Sequence, residues 1–268
     1  MSIDPIALVI SDVDGTLVTG SKRLSPATIR AVARLGEAGI GFTVASARPP
    51  IGLRGLVEAL DLRLPMGAFN GATVVGPDLS VIEEHLIPEG AAREAAARLA
   101  GAGLDVWVFA DGLWCLRDPD APYTDSERRT LLTEPRVVAD LGPLLARASK
   151  IVGVSADHRH LAACEAEIGD ALAGRATVHR SQAYYLDVTP PGIDKGGFVG
   201  WMARHLGIEP RRIATFGDAG NDRAMFACGG LSVAMGNAED AVKAAAGAVT
   251  GTNDADGFAA AIERLVLP

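Results

Sequence analysis

A small set of polar side chains in this sequence has the types and the spacing to act together. Asp12 and Asp14 stand two residues apart and run into Gly15; Ser46 and Lys195 follow, then Asp218 and Asp222, with Asn221 between them. On an extended segment residues i and i+2 point the same way, so Asp12 and Asp14 can converge on one site. Two carboxylates about 4 Å apart repel by roughly 1–4 kcal/mol at high effective dielectric. A cation, a shared proton or full hydration has to offset that repulsion. Taken alone, Asp-x-Asp-Gly also reads as a solvated turn. The full inventory favours a site for phosphate. Carboxylates at 12, 14, 218 and 222 do not all ionise in a partly dry cleft without a cation. All-oxygen donors without His or Cys select a hard ion such as Mg²⁺. Lys195 offers a point charge for phosphate, Ser46 a hydroxyl, and the backbone N–H groups of the Gly15 turn a cradle for an oxyanion. Carboxylates serve as nucleophiles in phosphoryl transfer, with a metal and an amine stabilising the charge.

The elements that must position these groups have a regular rhythm. The apolar run Ile6–Ile10 ahead of Asp12 is short, branched and uninterrupted, as expected of a strand buried on both faces. Ser25-Pro26 reads as an N-cap and first helical position for a helix over Ala27–Ala38. A strand over Gly41–Ala45 leads to Ser46, a helix over about Ile51–Leu60 follows, and the run Met66–Gly71 reads as a third strand and the loop Asn70-Gly71. Strand and helix alternating at this spacing predict βαβ units, a parallel sheet and right-handed crossovers. From about residue 81 to 183 the texture changes. Strand Val81–Ile87, an alanine-rich helix to Ala102, two extended runs joined by Asp111-Gly112, strand Lys150–Ser155, helix His158–Ala173 and strand Thr177–Ala183 form an inserted α+β unit, with Asp-Gly as the hairpin signal. The first rhythm then resumes with a strand at Tyr185–Thr189, a stretch Pro190–Gly197 that leads into a helix through Leu206, with Lys195 just before that helix, and a strand Arg212–Phe216. Short strands at Leu231–Ala234 and Ala248–Val249 and helices at Glu239–Ala246 and Gly257–Leu267 complete the chain. In an open parallel sheet ligands bind at the carboxyl ends of the strands, so Asp12, Asp14, Ser46, Asp218 and, near them, Lys195 are expected at one edge.

Composition narrows the partners. A chain of 268 residues, 49% hydrophobic and 22% charged, is that of an ordinary globular protein with ample core. A net charge of −8 and the lack of a basic run argue against a nucleic-acid grip. The five-residue N-terminal apolar run, without a positive flank, is read as neither a signal peptide nor a membrane span. Cys115, Cys164 and Cys228 lie far apart and are read as reduced small hydrophobes in a cytoplasmic protein. No internal repeat or low-complexity tract stands out.

Asp12-Val-Asp-Gly-Thr16, Ser46, Lys195 and Gly217-Asp218-x-x-Asn221-Asp222 resemble, in order, the four motifs of the haloacid dehalogenase-like hydrolase superfamily. The insert between the second and third motifs looks like the cap of its Cof-like, class II B branch. The resemblance covers the whole chain. It implies a Rossmann-like α/β core with helices on both faces of a parallel sheet, at residues 1–80 and 184–268, and an α+β cap at 81–183 that sets specificity. It further implies an Mg²⁺-dependent phosphomonoester hydrolase acting on a small phosphorylated metabolite, a sugar or polyol phosphate being the first choice. Asp12 would be the nucleophile that forms an aspartyl-phosphate and Asp14 the general acid and base. Ser46 and Lys195 would hold the phosphoryl group, helped by Gly15, Arg48 and Asn221. Asp12, the main-chain carbonyl of Asp14, and Asp218 would hold Mg²⁺, with Asp222 acting through water. An Asp at position 14 favours hydrolysis of the intermediate over its persistence. The second motif reads Ser46-Ala47-Arg48-Pro49 where Thr-Gly-Arg-Pro is common, and Ala219-Gly220 also departs from the usual pattern; neither change removes a catalytic group. A sugar phosphomutase or phosphotransferase, or a non-catalytic phosphate-binding regulator, are the alternatives, and monomer or homodimer is left open.

Several residues keep a second reading. Ser46 also serves as a plain N-cap, and Arg48 as a brace rather than a substrate contact. Asn70 reads equally as a support for the active-site loop or as a turn residue with Gly71. Trp107, Phe109, Trp114, Tyr123, Tyr184 and Tyr185 read as packing in the insert.

Overall fold

The apolar run ahead of Asp12 forms strand β1 (Leu8–Ser11), buried at every residue. The computed structural model describes residues 5–267. Helix α1 (Pro26–Glu37) starts where expected: the Ser25 side chain accepts from the Thr28 N–H, and Pro26 occupies the first turn. Its buried residues Thr28, Ala31, Val32 and Leu35 fall on one face. Strand β2 (Gly41–Val44) pairs parallel with β1, and a 3₁₀ turn at Pro50–Leu53 leads into α2 (Arg54–Leu60). The chain turns at Phe69–Gly71, where the loop Asn70-Gly71 is expected, but the strand before it does not run in full along the main sheet. Strand β3 (Met66–Ala68) turns back antiparallel onto β4 (Thr73–Val75) and meets the main sheet by the single bridge Ala45–Gly67. The cause is local, since Phe69 and Asn70 adopt φ of 48° and 59° and reverse the chain.

Strand β5 (Val81–Glu84) leads into the insert, which runs α3 (Glu89–Gly101), β6 (Asp105–Ala110), β7 (Leu113–Leu116), α4 (Thr124–Leu131), β8 (Arg136–Val137), β9 (Ala148–Val154), α5 (His158–Ala171), β10 (Thr177–Gln182) and β11 (Tyr185–Thr189). After it come α6 (Lys195–Leu206), β12 (Ile213–Gly217), α7 (Arg223–Phe226), β13 (Leu231–Ala234), α8 (Asp240–Lys243), β14 (Ala248–Val249) and α9 (Gly257–Ala261), the last continued by a π-helical turn at Ile262–Val266.

The chain divides into two compact units: one holds the residues up to Ser46, Arg54–Ile82 and the chain from Asp194 on, the other Ala47–Leu53 and Glu83–Ile193. In the first, the sheet order is β14-β13-β12-β1-β2, with every pairing parallel. One face packs Leu8, Ile10 and Ile213 against Phe198, Val199 and Met202 of α6. On the other, Phe258 of α9 meets Phe42 and Phe216 at ring distances of 5.9 and 5.0 Å. Helices therefore flank both faces of a parallel α/β sheet. In the second unit the order is β10-β11-β9-β6-β7-β8, and Asp111-Gly112 turns the β6–β7 hairpin with both residues at positive φ. An aliphatic core including Ala92, Ala95 and Leu99 of α3 and Leu161 and Ile168 of α5 covers Val106, Val108, Ile151, Leu186 and Val188.

The strand at Tyr185–Thr189, expected to resume the first sheet, lies instead between β10 and β9 and pairs antiparallel with both. Its five residues are all buried, which from sequence looks the same as a strand of a parallel core. The chain thus re-enters the first unit at Asp194 rather than at 184, and Arg48 groups with the second unit. Residues 1–4 and 268 of the expected core lie outside the described residues. Among the described residues no helix is long and apolar enough to cross a membrane. Cys115 and Cys164 are buried, Cys228 is half-buried, and all three are free thiols.

Candidate active site

Three neighbouring strands deliver the polar groups to one edge of the first sheet. Asp12 directly follows β1, and its N–H donates to the Phe216 carbonyl at 2.8 Å, prolonging the β1–β12 ladder by one residue. Asp218 directly follows β12. On the other side of β1, the Ala45 N–H donates to the Ser11 carbonyl at 2.9 Å, which brings Ser46 to the same edge. Two glycines allow the close approach. Gly15 has φ +89°, and a Cβ there would lie 2.2 Å from Asp218 Oδ2; a Cβ on Gly217 would lie 2.4 Å from the Asp222 Cβ.

Lys195 opens α6, whose N-cap Asp194 accepts from the Gly197 N–H at 2.9 Å. Its ammonium, 1% exposed, donates to Asp12 Oδ1 at 2.5 Å and to Asp222 Oδ1 at 2.6 Å. Asp222 Oδ2 accepts from the N–H groups of Asp218 and Ala219, both at 2.8 Å, so this carboxylate ties the strand-end loop to the lysine. Carboxylate oxygens of Asp12, Asp218 and Asp222 lie within 4.8 Å of one another. One ammonium therefore faces three carboxylates, and the charges do not balance. Burial pushes the Asp12 carboxyl well above its ordinary range; Lys195 pulls it back, while Asp222 and Asp218 push it further up. Asp218 is raised to about 6, first by burial, against the Thr16 hydrogen bond and with the repulsion of Asp222. Burial alone would lower Lys195, but Asp12 and Asp222 outweigh it and hold the ammonium above its ordinary value. A buried oxygen-donor group short of positive charge fits a hard divalent cation.

The other expected residues are distributed as follows. The Asp14 carboxylate is partly exposed and pairs with Lys22 Nζ at 2.7 Å. Ser46 is 1% exposed; its N–H donates to the Gly67 carbonyl at 2.8 Å and its carbonyl accepts from the Asn70 N–H at 2.7 Å. Asn221, expected near Lys195 or phosphate, donates from Nδ2 to Asn70 Oδ1 at 3.0 Å, while its own Oδ1 is buried without a hydrogen-bond partner. Arg48 donates to the Gly52 carbonyl at 3.2 Å within the second unit.

Sequence reasoning missed several contributors, and Asn70 it left undecided. Thr16 Oγ1 donates to Asp218 Oδ1 at 2.8 Å across 202 residues of sequence. Lys22 holds Asp14. Asn237 Nδ2 donates to the Gly15 carbonyl at 2.9 Å, and Asn253 and Asp254 bind the stretch after the acidic turn through the Val18 carbonyl and the Gly20 N–H. Only Thr16 carried a signal, as part of the Asp-x-Asp-Gly-Thr motif. The two asparagines sit beside glycine or threonine and look like ordinary turn residues.

Comparison with known proteins gives the family and the fold. The model of the haloacid dehalogenase-like hydrolase family matches residues 9–262. A haloacid dehalogenase-like hydrolase from Bacteroides thetaiotaomicron superposes with a TM-score of 0.88 at 29% identity, covering 97% of this chain and 99% of that one. An HMP-PP phosphatase from Cronobacter sakazakii is 30% identical over 235 residues, which cover 85% of this chain and 83% of its own length. A sugar phosphatase of HAD subclass IIB shares the fold, with a TM-score of 0.85 over 97% of this chain and 99% of that one at 24% identity. Since the family match runs from within the first strand to the last helical turn, taking in every strand that delivers a polar group, this chain belongs to the haloacid dehalogenase-like hydrolases.

Proposed function

We propose that the chain is an Mg²⁺-dependent phosphomonoester hydrolase acting on a small phosphorylated metabolite through an aspartyl-phosphate. The observation that carries this reading is the buried Asp12 carboxylate held by Lys195 at 2.5 Å beside Asp218 and Asp222. Lys195 lowers the barrier for an anionic ester to approach an anionic nucleophile by neutralising part of both charges. Asp12 attacks phosphorus as the bond to the ester oxygen breaks, and Asp14, in its protonated form, gives that oxygen its proton. Asp14, now ionised, takes a proton from water as the water attacks phosphorus; the bond to Asp12 breaks and inorganic phosphate leaves. Ser46 offers its hydroxyl to the phosphoryl oxygens. Asp12, the Asp14 carbonyl and Asp218 would hold the cation, which when bound supplies positive charge to the carboxylates and to the phosphoryl group. Asp222, with both oxygens already accepting hydrogen bonds, orients Lys195 and the Asp218 loop.

Among similar proteins one is named for HMP-PP and one for sugar phosphates, so the substrate panel spans both heterocyclic and sugar esters. The test measures phosphate release with Mg²⁺ from that panel for the wild type and Asp12→Asn, a substitution that keeps the volume but removes the nucleophile. Release that disappears in the variant and with chelator supports the hydrolase. A folded, Mg²⁺-binding wild type that releases phosphate from no ester, or an Asp12→Asn variant as active as the wild type, sinks it.

A further inference from the structure

The carboxylate of Asp218 is held on both oxygens by donors from different parts of the first unit. Oδ1 accepts from Thr16 Oγ1 at 2.8 Å, and Asn237 Nδ2 lies 3.4 Å from Oδ2 while donating to the Gly15 carbonyl at 2.9 Å. Asn237 stands three residues past β13. It is itself held, because its Oδ1 accepts from the Asn253 N–H at 3.0 Å. The Asn253 side chain donates to the Val18 carbonyl at 2.9 Å, and Asp254 accepts from the Gly20 N–H at 2.8 Å. Two asparagines thus join four segments: the acidic turn, the Asp218 loop and the loops after β13 and β14. A terminal carboxylate torsion is broad when nothing restrains it. Donors fixed on separate segments restrict it, and each takes one lone pair of an oxygen and leaves another.

The choice of an amide also has a physical reason. A lysine at 237 would place an ammonium beside the carboxylate and compete with any cation there. An aspartate would give the Gly15 carbonyl no donor at all. A neutral donor orients the carboxylate without competing.

We infer that Asn237 is a positioning residue for the cation site, fixing the orientation of the Asp218 carboxylate before a cation arrives. The Asn253 side chain acts through it by anchoring, at the Val18 carbonyl, the loop whose backbone N–H holds Asn237 Oδ1. This rests on the Mg²⁺ reading above. It predicts that loss of the Asn237 amide weakens cation binding itself, before any substrate is present. It also predicts that Asn253 has no separate effect on that binding once Asn237 is gone.

The experiment is calorimetric titration of the full chain with MgCl₂, without substrate, for the wild type, Asn237→Ala, Asn253→Ala and the double variant, with melting temperatures recorded in chelator. The expected result is an Mg²⁺ dissociation constant about tenfold higher for Asn237→Ala, in line with other groups that orient a metal ligand. The melting temperature in chelator should be little changed, Asn253→Ala should show a smaller rise, and the double variant should bind no more weakly than Asn237→Ala. Should the alanine variant fold poorly, Asn237→Ser, which also lacks the amide, carries the same expectation. Wild-type affinity in Asn237→Ala or Asn237→Ser overturns the inference, as does an Asn253 effect that adds in full in the double variant. A wild type that binds no Mg²⁺ overturns the cation reading first and this inference with it.

Discussion

At the scale of single residues, the site is a charge imbalance kept in place by shape. Gly15 is the clearest case: its φ is positive, and a Cβ built on it would stand 2.2 Å from Asp218 Oδ2, which leaves no space for any side chain. Gly15→Ala should cost about 1–2 kcal/mol in backbone strain alone. By displacing Asp218 or the turn it should also lower phosphatase turnover at least ~100-fold; far-UV circular dichroism and a phosphate-release assay check both parts. The imbalance also makes stability depend on pH. Asp218 rises from an ordinary 3.8 to about 6 on folding, so the cation-free folded state binds protons more tightly than the unfolded state. Its contribution is therefore most favourable below the unfolded value and is lost as pH rises from about 4 through about 6, by at most roughly 3 kcal/mol. Urea titrations of the wild type and Asp218→Asn at pH 4.5 and 7.5 in chelator should show the wild type losing stability relative to the variant over that window. Mg²⁺ should reverse the loss. Residue types and their order made Asp12, Ser46, Lys195 and Asp218 legible. Asn237 and Asn253 were not, because an amide that meets a carboxylate 19 residues away, or a backbone N–H that braces such an amide from a further loop, leaves no local pattern.

At the scale of elements, most strands and helices follow from periodicity and caps. The Ser25-Pro26 start of α1 and the Asp111-Gly112 hairpin lie where turn and capping chemistry put them. The exceptions share a cause. Burial pattern shows how apolar a strand's surroundings are, not which sheet supplies them. β11 is buried at all five residues, yet its neighbours are the antiparallel β9 and β10. Likewise Met66–Ala68 is buried, yet it pairs antiparallel with β4 rather than running along the main sheet. The assignment of β11 has an energetic consequence, since Leu186 is fully buried in the aliphatic core under α3 and α5. Leu186→Ala should destabilise by about 2–5 kcal/mol. Hydrogen exchange should show the loss of protection in β6, β9 and β11; loss confined to β1 and β12 would contradict the pairing.

At the scale of the whole molecule, the parallel α/β sheet and the inserted α+β unit were readable from the change in rhythm near residue 81. The return point was not, because Asp194 rather than a strand marks it. The overall charge of −8 gave no sign of the local excess of carboxylates at the strand ends. The order of the central strands also bears on how the chain is made. Leu8 pairs with Ile213 in β1 and β12, whereas all pairings of the six-stranded sheet fall between residues 105 and 189. At about 5–20 residues per second a ribosome needs roughly 10–40 s to travel from β1 to β12. Over that interval one flank of β1 has no partner, while the strands of the insert are all made and can pair among themselves. Synthesis thus leaves the strand that leads to Asp12 waiting on the closing part of the chain, and a stalled or truncated product would expose the Leu8–Ser11 edge to other chains.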